Sequence, residues 1–213
     1  MMSRNLILAI GILCIPFIYL ALSWGSMPDQ VALHFGADGQ PDRYGHKSEL
    51  FIALGIISAV GLLAFGLIQW LPTIDPKKNL ETSSTTLFKI GFSLVVFMAI
   101  LNIYIIYSAT HATEGRLVFV LLGAFFAVLG NLLHSVKPNY FVGMRLPWTL
   151  ESEANWRATH QFASRIWFGG GIAIAIFSLL LPLKWVVGVF LVSVVLLTVV
   201  PAVYSYRYFK QNG

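Results

Sequence analysis

Six apolar stretches, each roughly the ~20 residues that a bilayer-spanning helix requires, constrain this chain more than anything else in it. They are Leu6–Trp24, Leu50–Leu71, Phe88–Ser108, Leu117–Leu133, Ile166–Leu183 and Trp185–Tyr204. Hydrocarbon offers backbone N–H and C=O groups no partners, and a helix satisfies them internally. With 57% hydrophobic and only 11% charged residues in 213, the chain is too apolar for a soluble domain. The expected fold is all-α, a polytopic membrane protein with six transmembrane helices. Arg4 before the first run, and Ala21 and Ser23 near its end, resemble a secretory signal with a cleavage site. The apolar stretch is longer than the ~7–15 residues of a signal core, so it reads as an uncleaved anchor.

Charge then sets the orientation. With the N-terminus in the cytoplasm, the inner loops hold Arg4, Lys77, Lys78, Lys89, Lys137, Arg145, Arg157, Arg165, Arg207 and Lys210, against Arg43, Lys47, Arg116 and Lys184 outside. Ten against four predicts that both termini are cytoplasmic. The net charge of +5 is assigned to topology and anionic lipid, and no direct contact with nucleic acid is expected. Cys14 has no second cysteine to pair with, and a buried, inert thiol is the expectation.

Between the first two spans, residues 25–49 are expected to form a small ordered external loop. Val31–Phe35 alternates apolar and polar residues like a short strand, and Ala37-Asp38-Gly39-Gln40-Pro41 carries turn chemistry. His34, Asp38, Asp42 and His46 recur every four residues, but Gly36, Gly39, Pro41 and Gly45 break any helix that would align them, so no metal site is assigned. The same holds for His111 with Glu114 in the second external turn. Residues 73–86 read as a cytoplasmic connector, with Thr82–Thr86 able to cap the third span. Tyr104 and Tyr107 suit an aromatic interface belt. Lys89 can snorkel from a helix end, while Asn102, Asn131 and His134 are read as packing or interface polar groups.

The polar interruption of this pattern is residues 137–167, with Trp148, Trp156, Trp167, Arg145, Arg157 and Arg165 close together. Thr149 can cap a helix whose first turn holds Glu151 and Glu153, placing acidic charge at the positive helix end. Trp156, His160, Ala163 and Trp167 share one arc of that helix, and Arg157, Gln161 and Arg165 another. This predicts an amphipathic cytoplasmic helix leading into the fifth span, tryptophans toward lipid or protein and arginines toward phosphate. Ahead of it, Gly143 and Pro147 set the path of a loop on which Asn139, Arg145 and Trp148 offer a polar and aromatic surface. Nothing matches a nucleophile–base pair, a zinc-protease motif or a phosphate loop, and no cofactor is called for.

At Lys137-Pro-Asn-Tyr-Phe-Val-Gly-Met-Arg-Leu-Pro-Trp-Thr-Leu-Glu-Ser-Glu153, Trp156-Arg-Ala-Thr-His160, Arg165 and Gly169-Gly170 the chain resembles the SdpI family of bacterial membrane proteins. Met27-Pro-Asp, His34-Phe and Gly39-Gln-Pro-Asp-Arg-Tyr-Gly-His-Lys47 resemble an uncharacterised N-terminal domain commonly joined to it. The resemblance implies a multi-pass protein of the bacterial cell membrane that gives immunity to a secreted, membrane-active peptide toxin. The founding member protects a sporulating Bacillus from its own toxin and also signals by holding a small repressor at the membrane. The resemblance marks Asn139, Gly143, Arg145, Pro147, Trp148, Thr149, Trp156, His160 and Arg165 as the candidate partner-binding signature. It marks His34, Asp42, Arg43, Tyr44 and Lys47 as the candidate external contacts. Residues 1–72 and 73–213 then form a two-helix unit and a four-helix SdpI-like unit within one membrane domain.

The expected partners are membrane lipid, a peptide toxin and a cytoplasmic repressor, and no catalysis is expected. The alternative is a small transporter or channel for ions or peptides, with Asn102, Asn131 and His134 as its polar groups. An enzyme acting on lipid or cell-wall precursors would need Glu153, His160 and an arginine to converge in one pocket.

Overall fold

The computed structural model describes residues 2–36, 40–76, 78–80, 83–111 and 115–212. Among the described residues six helices are long and apolar enough to cross a membrane: α1 (Met2–Ser23), α2 (Glu49–Ile74), α3 (Ser84–Thr110), α4 (Arg116–Leu133), α6 (Glu153–Leu180) and α7 (Leu183–Asn212). The short α5 (Pro147–Glu151) precedes α6. Because α6 has 28 residues and α7 has 30, at 1.5 Å per residue each is longer than the ~30 Å hydrocarbon core. Their surplus turns lie on the side of the molecule that carries both chain ends, where they pack against residues 134–152.

On the opposite side, the loop after α1 is an antiparallel hairpin, β1 (Gln30–Phe35) with β2 (Pro41–His46). The strand expected at Val31–Phe35 therefore exists, and it has a partner that the sequence reading did not assign. Val31, only 1% exposed, sits with Met27, Leu20, Leu50, Leu54 and Ile106 in one apolar cluster, which pins the hairpin to α1, α2 and α3. Lys47 tightens this seat. Its Nζ lies 3.1 Å from Asp29 Oδ1, donates to Met27 O at 3.2 Å and stands 5.0 Å over the Trp24 ring. The ammonium holds the Asp29 carboxyl below its usual range, so the pair persists at neutral pH and is lost as the pH falls through that lowered value.

Ala9, Leu13, Phe65, Val95 and Ala99 form a second cluster among the same three helices. This inward face of α1 leaves Cys14 exposed on its outer side, which corrects the expectation of a buried thiol: the residue after Leu13 is rotated about 100° away from the core. Tyr104 is likewise buried rather than part of an interface belt, whereas Tyr107 is exposed and stacks on His111 at 4.2 Å. The other half of the molecule is built on α4 and α6, whose backbones meet where Gly123 and Ala127 face Gly171 and Ala175 and where Gly130 faces Trp167 and Phe168. Interfaces of small residues are how membrane helices gain packing that lipid cannot supply.

A rigid signature segment beside α6 as candidate functional site

Residues 134–152 run from the end of α4 to the start of α6, and Asn139, Trp148, Thr149 and Ser152 among them each have an internal hydrogen-bond partner. Asn139 is fully buried. Its Oδ1 accepts the N–H groups of Phe141 and Val142, both at 2.7 Å, and its Nδ2 donates to Lys137 O and Val142 O at 2.8 and 3.0 Å. An amide that replaces four backbone partners organises a turn. The expectation that Asn139 belongs to an exposed surface is corrected on that ground.

His160 takes up the next part of the segment. Its Nε2 accepts the Met144 N–H at 3.0 Å and its Nδ1 lies 2.8 Å from Trp156 O. A nitrogen that accepts a backbone N–H carries no proton, so the ring is the neutral Nδ1–H tautomer. The Trp156 ring stacks on it at 4.1 Å, and Trp156 Nε1 donates to Val136 O at 2.8 Å. Trp156 and His160 are each only 1% exposed. The arc predicted on α6 is therefore real, and it faces protein rather than lipid. Arg157, Gln161 and Arg165 are exposed on the other stripe.

Thr149 corrects a capping assignment. Its hydroxyl accepts from Leu146 N at 2.9 Å and donates to Met144 O at 2.8 Å, so it closes α5. The cap of α6 is Ser152, whose Oγ accepts from Asn155 N at 3.2 Å. Trp148 is fixed by a network that sequence reasoning missed. Its Nε1 donates to Ser205 Oγ at 2.9 Å, which donates to Asn155 Oδ1 at 2.9 Å, while Asn155 Nδ2 returns to Ser205 O at 3.1 Å. Asn155 and Thr159, four residues apart beside the Trp156–His160 arc, were the available sign of an inward polar face. Ser205, fifty positions away, left none.

What remains outward from the signature is Arg145, Pro147 and Arg165, with Trp148 half-buried. Arg145 donates through Nη1 to Tyr140 O at 2.9 Å. Gly143 has φ +107°, and a Cβ there would overlap His160 Nε2. Gly143→Ala is therefore expected to cost about 1–3 kcal/mol through backbone strain and to lower the melting temperature of the purified protein. A melting temperature equal to wild type would contradict the packing described.

Glu153, Arg157 and His160 do line one cavity of about 360 Å³, together with Lys137, His134 and Asn79, as the catalytic alternative requires. Their chemistry there is already committed. Glu153 Oε1 pairs with Arg157 Nη2 at 2.6 Å, and both His160 nitrogens are engaged, so His160 would have to release Met144 before acting as a base. The polar groups of a transport path are not brought together. Asn102 is buried against Leu54 and Ser58, while Asn131 and His134 are exposed.

On the hairpin, His34 Nδ1 lies 2.6 Å from Asp42 Oδ1 and Arg43 pairs with Glu49 at 3.1 Å. His34, Asp42, Arg43 and Tyr44 are exposed, whereas Lys47 is turned inward. Among the described residues no three His, Cys, Asp or Glu side chains cluster as a metal site would. Asp38 and Glu114 from the two weighed sets lie outside those residues, as do Lys77 and Thr82.

The profile described as the SdpI/YfhL protein family matches residues 135–205, and Domain of unknown function (DUF1648) matches residues 11–58. The immunity protein SdpI of Bacillus subtilis (strain 168) is 24% identical over 215 residues, covering 100% of this chain and 99% of its own. An uncharacterized protein of Archaeoglobus fulgidus is 38% identical over 63 residues, covering 26% of this chain and 34% of its own. No solved structure matches. Six apolar spans among the described residues and an end-to-end collinear relative carry one conclusion: the chain is a multi-pass bacterial membrane protein, similar over residues 135–205 to the SdpI/YfhL protein family.

Proposed function

We propose that the protein is a membrane immunity protein, which protects the cell that makes it from a secreted, membrane-active peptide toxin. The observation that carries this reading is the collinear match, from end to end, with a protein named for immunity. The proposal puts both termini in the cytoplasm, on the ten-to-four distribution of basic residues, and so puts the hairpin outside. There His34, Asp42, Arg43 and Tyr44 form the face that a toxin meets first. The rigid segment of residues 137–167 lies on the inner side, where Arg145, Pro147 and Arg165 are the groups a cytoplasmic repressor would touch. Residues 1–72 and 73–213 act as the sensing and the reporting unit of one membrane domain.

The test is survival of a sensitive bacterium challenged with a peptide toxin of this class, with and without the protein. Wild type is expected to raise survival well above that of cells lacking the protein. Replacing residues 27–47 with an unrelated loop, at matched membrane abundance, is expected to remove the protection. Well-expressed wild type that protects against no toxin in a panel would sink the proposal.

A further inference from the structure

We propose that the protein holds one anionic phospholipid, its acyl chain in the groove beneath the signature segment and its phosphate on Arg145. The groove has a volume of about 530 Å³, within the range of built ligand sites. Leu129 and Leu133 of α4, Trp167 of α6 and Ala202 of α7 form its apolar walls, and Gly143 and Arg145 form its mouth. The wall residues belong to membrane-crossing helices and the mouth to the connecting segment, so the groove runs from the interfacial depth into the hydrocarbon. An occupant must therefore be an amphiphile.

Two observations give it a negative head. Arg145 is exposed and, among the described residues, is the one charged side chain lining the groove, with no carboxylate of those residues beside it there. Its one hydrogen bond on the described chain uses Nη1, to Tyr140 O, which leaves Nε and Nη2 as a fork for phosphate oxygens. That bond also holds the guanidinium in place, so little freedom is lost on binding. Basic pockets between membrane helices at the inner surface are a recognised setting for anionic headgroups. The inference does not depend on the immunity reading, since lipid binding and toxin protection are measured separately.

The test is thermal melting of the purified protein in detergent, with added phosphatidylglycerol or phosphatidylcholine. Phosphatidylglycerol is expected to raise the melting temperature by roughly 5 °C, and phosphatidylcholine by much less. Dihexanoyl phosphatidylglycerol, whose acyl chains are too short to fill the groove, and inorganic phosphate, which has none, are expected to give no rise. Arg145→Gln should remove the preference for the anionic lipid about tenfold in affinity and Arg145→Lys should retain part of it. Ala202→Phe, which fills the groove, should reduce binding of both long-chain lipids. Arg207→Gln, an exposed cation of the same side outside the groove, should change nothing. Equal rises with the two long-chain lipids, or an undiminished phosphatidylglycerol response in Arg145→Gln or Ala202→Phe, would overturn the proposal. A rise with inorganic phosphate equal to that with phosphatidylglycerol would reassign the site to a free anion.

Discussion

Gly171→Ala is expected to prevent accumulation of folded protein, whereas Gly169→Ala, two residues earlier on the same helix, is tolerated. A Cβ at position 171 would overlap Ala127 N and stand 2.6 Å from Gly123 O. Both are backbone atoms of α4, so no rotamer change relieves the overlap, and the helices must separate by about 1 Å to reach ordinary contact. Overpacking of this kind costs about 3 kcal/mol at the upper end of its usual range. Separation also loosens the contacts that hold α4 to α6, including Ser164 Oγ donating to Gly130 O at 2.6 Å, in an environment where lipid competes equally for apolar surface. At Gly169 an added Cβ meets nothing within 4 Å, and alanine favours the helix. Gly170→Ala should fall between the two, because its neighbour is the end of the Leu197 side chain. Membrane abundance and melting temperature of the three variants give the readout. If Gly171→Ala melts with wild type, the close helix crossing is wrong.

How much of this was legible in the sequence depends on what each residue faces. The run Leu50–Leu71 falls inside α2 (Glu49–Ile74), and Phe88–Ser108 inside α3 (Ser84–Thr110), because a helix bathed in lipid is apolar along its length. The fifth span was read from Ile166, thirteen residues after α6 begins at Glu153. Its first turns are buried by protein instead, and protein accepts Asn155, Thr159 and His160 as long as each finds a hydrogen bond. Spacing alone grouped Trp156 with His160 correctly and left open which neighbour they met. Asn139 looked like a surface residue since a polar side chain usually is one, and only its four backbone partners reveal a buried turn. The Ser205–Asn155 contact joins positions fifty apart, and the crossing of α4 on α6 pairs glycines forty-eight apart at Gly123 and Gly171. No local period reports either one. On the hairpin, turn chemistry announced the reversal, but β2 carries Asp42, Arg43 and Tyr44 outward and lacks the apolar alternation of a half-buried strand.

Trp156→Ala should destabilise the protein by about 3–5 kcal/mol, the cost of emptying a large aromatic site in a packed core. It removes a side chain that is 1% exposed, leaves the Val136 carbonyl without its 2.8 Å donor, and takes away the ring stacked on His160. The loss then spreads, since His160 holds Met144 and a loosened Met144 frees the backbone that presents Arg145. Trp156→Phe keeps most of the ring contact and drops only the N–H, so it should cost about 1–2 kcal/mol, dominated by the unsatisfied carbonyl. Arg145→Ala, by contrast, removes an exposed side chain with one hydrogen bond to the segment and should fall within about 0.5–1.5 kcal/mol of wild type. In a survival assay Trp156→Ala and Arg145→Ala can look alike, but melting of the purified variants separates them. Protection lost with Trp156→Ala follows from lost structure, whereas protection lost with Arg145→Ala at full abundance assigns a binding role to the guanidinium. A Trp156→Ala protein that melts with wild type would show that the Trp156–His160 stack does not hold the signature segment in place.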